Sequence, residues 1–109
     1  MKKLLILAAL VCGTAHAEFK DGNKLLSEMN GNTTNQMHAL GYMLGVADAL
    51  MGSGACPPTN VSAGQVYDMV KLYLETYPST RHFTADIIVH RVLKSAWPCQ
   101  QQSQRGNNL

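Results

Sequence analysis

The sequence has no apolar run long enough to cross a bilayer. Its most apolar stretch, Leu4–Val11 within MKKLLILAALVCGTAHA, is far short of the roughly 20 residues that a spanning helix needs. The stretch does have a lysine pair before it, Lys2 and Lys3, and Ala-His-Ala after it. A short basic region, an apolar core and small residues before a cleavage point make a secretory signal peptide over residues 1–17, cut after Ala17. The short leader looks bacterial, and export is the expected fate of the chain. Val11 is branched and too bulky for Cys12 to be a lipid attachment site.

A surplus of charge is missing too. Of nine basic residues, Lys2 and Lys3 leave with the leader, so the mature chain holds seven basic and seven acidic side chains. No basic patch remains to attract nucleic acid, and no polybasic run remains to hold a membrane surface after cleavage. Catalytic and cofactor motifs are also lacking. "GSG" at Gly52–Gly54 has no strand-and-helix setting for a phosphate loop, and no G-x-S-x-G elbow occurs. There is no C-x-x-C, and no histidine stands at finger-like spacing, which argues against zinc. The expectation is a chain that is not an enzyme, with no cofactor and no metal.

Cysteine is scarce but informative. Cys56 and Cys99 are the pair left in the mature chain. In an exported protein a lone pair reads as one disulfide. The mature chain has the size of a single domain, placed at residues 18–99, followed by a polar, aperiodic tail at 100–109.

The apolar spacing is helical from end to end. Asp21 or Asn23 caps a first helix carrying Leu25, Leu26 and Met29. A second runs from about Thr34 to Met51, with Met37, Leu40, Leu44, Ala47 and Met51 as its expected inner face, and ends at "GSGACPP". A third starts at Ser62, where Gln65 completes a capping box. Its stripe is Val66, Met69, Val70, Tyr73 and Tyr77, and Pro78 ends it. A fourth begins near Phe83 or Thr84 with the stripe Ala85, Ile88, Val89, Val92 and Ala96, while Asp86, His90 and Lys94 line a solvated face. Four helices with short loops and no convincing strand make a compact all-α, four-helix domain with one disulfide.

"GYMLGVADAL", Gly41–Leu50, is unusual within that pattern. Gly41, Gly45 and Ala49 draw a line of small side chains, against a helix cost of roughly 1 kcal/mol per glycine. The line is expected to admit a neighbouring backbone. Asp48 borders it and is expected to be a hydrogen-bonded structural carboxylate rather than a catalytic acid. Met37, Met43, Met51 and Met69 are expected to fill the core.

Several ordered pieces carry a resemblance: "F-x-D-G-N-x-L-L" at Phe19–Leu26, "GYMLGVADAL", "ACPP…VSAGQVYDMVKLYLETYP" and "RHFTADIIVHRVLKSAWPC". Together, over Phe19–Cys99, they resemble the Rap/Tai family, small periplasmic immunity proteins that neutralise amidase effectors of type VI secretion. Two departures stand out. Met29 and Asn30 occupy the place where relatives often carry a cysteine, and Thr84 stands where a proline often opens the last helix. The resemblance implies a helical, frequently dimeric protein that blocks the active-site cleft of a cognate peptidoglycan amidase effector and has no catalytic task itself.

Such an inhibitor needs a projecting surface. "YPSTRH" is the best loop: Tyr77, Pro78, Ser79, Thr80, Arg81 and His82 combine an aromatic ring, a stiffening proline, two hydroxyls, a guanidinium and an imidazole. Tyrosine and arginine are favoured where interfaces concentrate their binding energy. The exposed side of the third helix, Asp68, Lys71 and Glu75, is a second expected contact. A different class of function also fits a small exported helical chain with one disulfide: an acid-stress chaperone of the Hde type. It would open at low pH through three histidines and seven carboxylates.

Overall fold

Local capping sets where the helices start. In the computed structural model, which describes residues 19–100, α1 is Gly22–Met29, α2 Thr33–Leu50, α3 Ala63–Thr76 and α4 Ala85–Ala96, with one 3-10 turn at Pro78–Thr80 between the last two. The expected signal peptide, Cys12 and all but Gln100 of the polar tail lie outside the described residues. Asp21 Oδ1 accepts from the Lys24 amide at 2.8 Å, Asn32 Oδ1 from the Asn35 amide at 2.9 Å, and Ser62 Oγ from the Gln65 amide at 3.1 Å. Each satisfies a helix-start N–H that no preceding carbonyl can reach. Asn32 was not expected as a cap, and it starts α2 one residue before Thr34. Only the Ser62 half of the expected capping box forms among the described residues.

The protein is all-α, with no strand among the described residues. α2 packs on α4 and α1, and α3 packs on α1 and α4. The fully buried centre takes Leu25 and Met29 from α1, Met43 from α2, Val70 and Leu74 from α3, and Ile88, Val89 and Leu93 from α4. The Cys56–Cys99 disulfide forms, with a sequence separation of 43, and the Cys56 amide donates to the Trp97 carbonyl at 2.9 Å beside it. Together they tie the loop after α2 to the end of α4.

Three stripes differ from expectation. In α2, Ala39 and Met43 are buried and Tyr42, Val46 and Ala47 pack against the core, while Met37 and Met51 are exposed at 60 % and 57 %. Apolar residues occur on every side of α2, so spacing alone does not fix which side turns inward. In α3, Leu74 is buried and Tyr77 exposed, and in α4, Leu93 is buried and Ala96 exposed. Of the four methionines expected in the core, Met43 is fully buried and Met69 partly so.

The small-residue line also behaves differently. A Cβ added at Gly41 or Gly45 would meet nothing within 4 Å, so no backbone approaches there. The close approaches are elsewhere. A Cβ on Gly22 would lie 2.6 Å from Ile88 Cδ1 and 2.9 Å from the Arg81 carbonyl oxygen, and one on Gly54 would lie 2.6 Å from His90 Nε2. His90 therefore packs under the loop instead of joining Asp86 and Lys94 in solvent, and its Nε2 is buried with no hydrogen-bond partner among the described residues. Asp48 is exposed and its carboxylate makes no hydrogen bond among the described residues, contrary to the expected paired carboxylate; its backbone carbonyl accepts from the Met51 amide. It escapes desolvation because α2 turns that side outward.

Candidate functional site: the ridge between α3 and α4

Proline shapes the connector. The Tyr77 amide donates to the Tyr73 carbonyl at 3.0 Å and closes α3; Pro78 cannot donate, so the helix stops and a 3-10 turn begins. Amides of Thr80, Arg81 and Phe83 donate to the carbonyls of Tyr77, Pro78 and Thr80 at 3.1, 3.2 and 3.1 Å. Thr80 Oγ1 adds a bond to the Tyr77 carbonyl at 2.8 Å. These i to i+3 bonds wind the connector into a 3-10 turn and tie its ends together. It is a compact ridge and not a loose loop.

The side chains of the ridge divide. Tyr77 is 51 % exposed, and its ring lies 4.9 Å from that of Tyr73. Pro78, Ser79 and His82 are exposed and Thr80 is half-buried. Arg81 is half-buried and turned inward: its Nε donates to the Leu74 carbonyl at 2.6 Å. Asp68 and Glu75 are exposed on α3 and Lys71 is half-buried, so α3 carries them along the side that leads into the ridge.

Sequence reasoning missed the apolar part of this surface. Leu72, between Lys71 and Tyr73, is 65 % exposed. It borders an open groove of about 540 Å³ between α3 and α4, shared with Met69, Tyr73, Tyr77 and Val92. On the α4 side, His82 and Phe83 rings stand 4.4 Å apart and the Arg91 guanidinium lies 5.5 Å from the Phe83 ring, an attractive placement for a cation. Leu72 stood between two stripe residues, and its position three after Met69 was the available signal.

The neighbouring segment supports the ridge from behind. Residues Lys20–Asn23 run antiparallel to Arg81–Ala85: the Gly22 amide donates to the Phe83 carbonyl, the Asn23 amide to the Arg81 carbonyl, and the Ala85 amide to the Lys20 carbonyl, at 3.0, 3.0 and 2.8 Å. Lys20 is itself anchored, with Nζ 2.7 Å from Glu28 Oε1 and 4.7 Å from the Tyr42 ring centroid. Glu28 is buried, and the pairing is what makes that burial tolerable.

Two tyrosines are held in the neutral form beyond their ordinary range. Burial, and then the nearby Asp86 charge, raise the Tyr42 pKa above 10.0, against a smaller opposing effect of the Asp86 backbone. Burial and the Asp68 charge do the same for Tyr67, whose hydroxyl donates to the Met29 carbonyl at 3.2 Å. Among the described residues no group of three or more histidine, cysteine or carboxylate side chains is placed to hold a metal ion, and no helix is long and apolar enough to cross a membrane.

Comparison with known proteins gives one family. The family model described as Rap1a immunity proteins matches residues 21–99, a span that begins at the α1 cap and ends at the second disulfide cysteine. No curated protein matches the chain.

Proposed function

The chain belongs to the Rap1a immunity protein family, and on that premise we propose that it is a periplasmic immunity protein that occludes the cleft of a cognate type VI secretion peptidoglycan amidase effector. The family implies binding to a secreted effector, and it is not known for enzymes. The observation that carries the finer reading is the ridge at Tyr77–His82. It is exposed at its tip, closed by its own hydrogen bonds and bordered by apolar Leu72. A pre-formed ridge with a tyrosine at its base suits insertion into a cleft, because little conformational freedom is lost on binding. Tyr77, Pro78, Ser79, Thr80, Arg81 and His82 form the ridge, and Asp68, Lys71 and Glu75 flank it.

We further propose a homodimer in which the outer side of α2 meets its copy. Gly41 and Gly45 are open to solvent on that side, and Met37 is exposed nearby. Small residues let two helices approach closely about a two-fold axis.

The experiment starts from the oxidised mature chain, residues 18–109, at neutral pH. It is used to capture its partner from secreting cells, and the captured protein is assayed for peptidoglycan cleavage with and without the chain. The proposal expects one stoichiometric exported hydrolase whose cleavage the chain abolishes. Capture of many unrelated proteins, increasing as the pH falls, would replace it with the chaperone reading.

A further inference from the structure

We infer that Arg81 is a positioning residue of the ridge and not one of its contacts, and that the Lys20–Asn23 segment completes the same support from the opposite side. The inference rests on the reading of the ridge as the partner-binding surface, and it assigns the residues that hold that surface in shape.

The Leu74 carbonyl lies in the last turn of α3 and would ordinarily accept from the amide of residue 78. Residue 78 is proline and has no amide hydrogen. Leu74 is fully buried, so water is a poor substitute. Arg81 Nε takes the missing amide's place at 2.6 Å. The proline that ends α3 thus creates a buried acceptor, and the arginine three residues on satisfies it.

The backbone of the same residue is held as well. The Arg81 amide donates to the Pro78 carbonyl, and the Arg81 carbonyl accepts from the Asn23 amide. Gly22 lies so close that a Cβ there would be 3.0 Å from Arg81 Cα. The segment that makes these contacts is fixed at its start by the Lys20–Glu28 ion pair and by Lys20 above the Tyr42 ring. Arg81 is therefore gripped from α3 through its side chain and from the Lys20–Asn23 segment through its main chain. The expected signal cleavage after Ala17 would leave this segment close to the new N-terminus.

The test separates positioning from contact. Hydrogen exchange is followed at the Thr80, Arg81 and Phe83 amides of the wild-type chain and of Arg81→Ala, Arg81→Lys and Tyr77→Ala. Arg81→Ala is expected to speed exchange in the ridge by at least about tenfold while the Val70 and Val89 amides keep their protection. It should also weaken inhibition of the captured hydrolase by about tenfold or more, and Arg81→Lys should restore most of both, since an ammonium can donate to a single carbonyl but cannot replace a guanidinium fork on a partner. Tyr77→Ala should weaken inhibition and leave ridge exchange as in the wild type. If Arg81→Ala does not fold, Lys20→Met carries the test through faster exchange of the Ala85 amide and weaker inhibition. Unchanged ridge exchange in Arg81→Ala overturns the inference and leaves the proposed function standing. Faster exchange with undiminished inhibition overturns it too, and removes the ridge from the proposed interface. Loss of inhibition in Arg81→Lys as severe as in Arg81→Ala, with normal exchange, would make Arg81 a direct contact.

Discussion

Gly22 and Gly41 differ in what a side chain would meet, and that difference gives opposite predictions. A methyl group at Gly22 collides with Ile88 and with the Arg81 backbone. Gly22→Ala should destabilise the fold by about 1–3 kcal/mol, the usual range for overpacking. A methyl group at Gly41 meets nothing, and glycine there carries only its helix penalty. Gly41→Ala should therefore raise stability by up to about 1 kcal/mol in the monomer. Urea unfolding at low protein concentration measures both. The tyrosines make a third residue-scale prediction. Tyr42 and Tyr67 bind their protons more tightly when folded than when unfolded. Above about pH 10 the unfolded chain loses those protons first, so stability is fully present below that pH and falls as the pH rises towards the raised folded values. Tyr67→Phe should flatten this alkaline loss and lower stability near neutrality by about 1 kcal/mol, for the bond to the Met29 carbonyl. None of these partners could be read from the chain. Gly22 and Gly41 are both glycines near or within a helix, and only the packing tells them apart. Arg81 is similar: its composition marked it as a binding residue, whereas its geometry turns it towards Leu74.

At the scale of elements the sequence was more legible. The caps Asp21 and Ser62 have short oxygen-bearing side chains just before an apolar stripe, which is a local signal, and both cap as expected. Pro78 ends α3 for an equally local reason. α2 was legible as a helix but not in its phase. Its composition is apolar on every side, and the choice between the Met37 side and the Met43 side is made by packing on α1 and on the sequence-distant α4. The loop after α2 was legible through Cys56. Its bond to Cys99 closes 43 residues of separation, worth about 4 kcal/mol by chain entropy. Cys99→Ser should lower stability by about that amount, measured by thermal or urea unfolding of the purified chain. The loop packs Ala55 into the core and Gly54 against His90, so the loss should also appear as faster hydrogen exchange at Cys56, whose amide bonds to Trp97.

At the scale of the whole molecule, the order of pieces from Phe19 to Cys99 was enough to indicate the family, and the family model matches residues 21–99. The ridge was legible as a connector because Tyr, Pro and Arg occur together there. Its apolar border at Leu72 and its rear support at Lys20–Asn23 were not, since both depend on which helix sides the fold leaves open. The proposed function has this ridge enter and block an effector's cleft. The most direct measurement is peptidoglycan cleavage by the exported hydrolase that the oxidised chain captures, titrated with the wild-type chain and with Tyr77→Ala. Cleavage is expected to end near one chain per hydrolase, and Tyr77→Ala to need at least about tenfold more chain, the loss that truncating an aromatic interface contact brings. Cleavage that continues in excess wild-type chain, or that Tyr77→Ala stops as readily as the wild type, would contradict the proposed function.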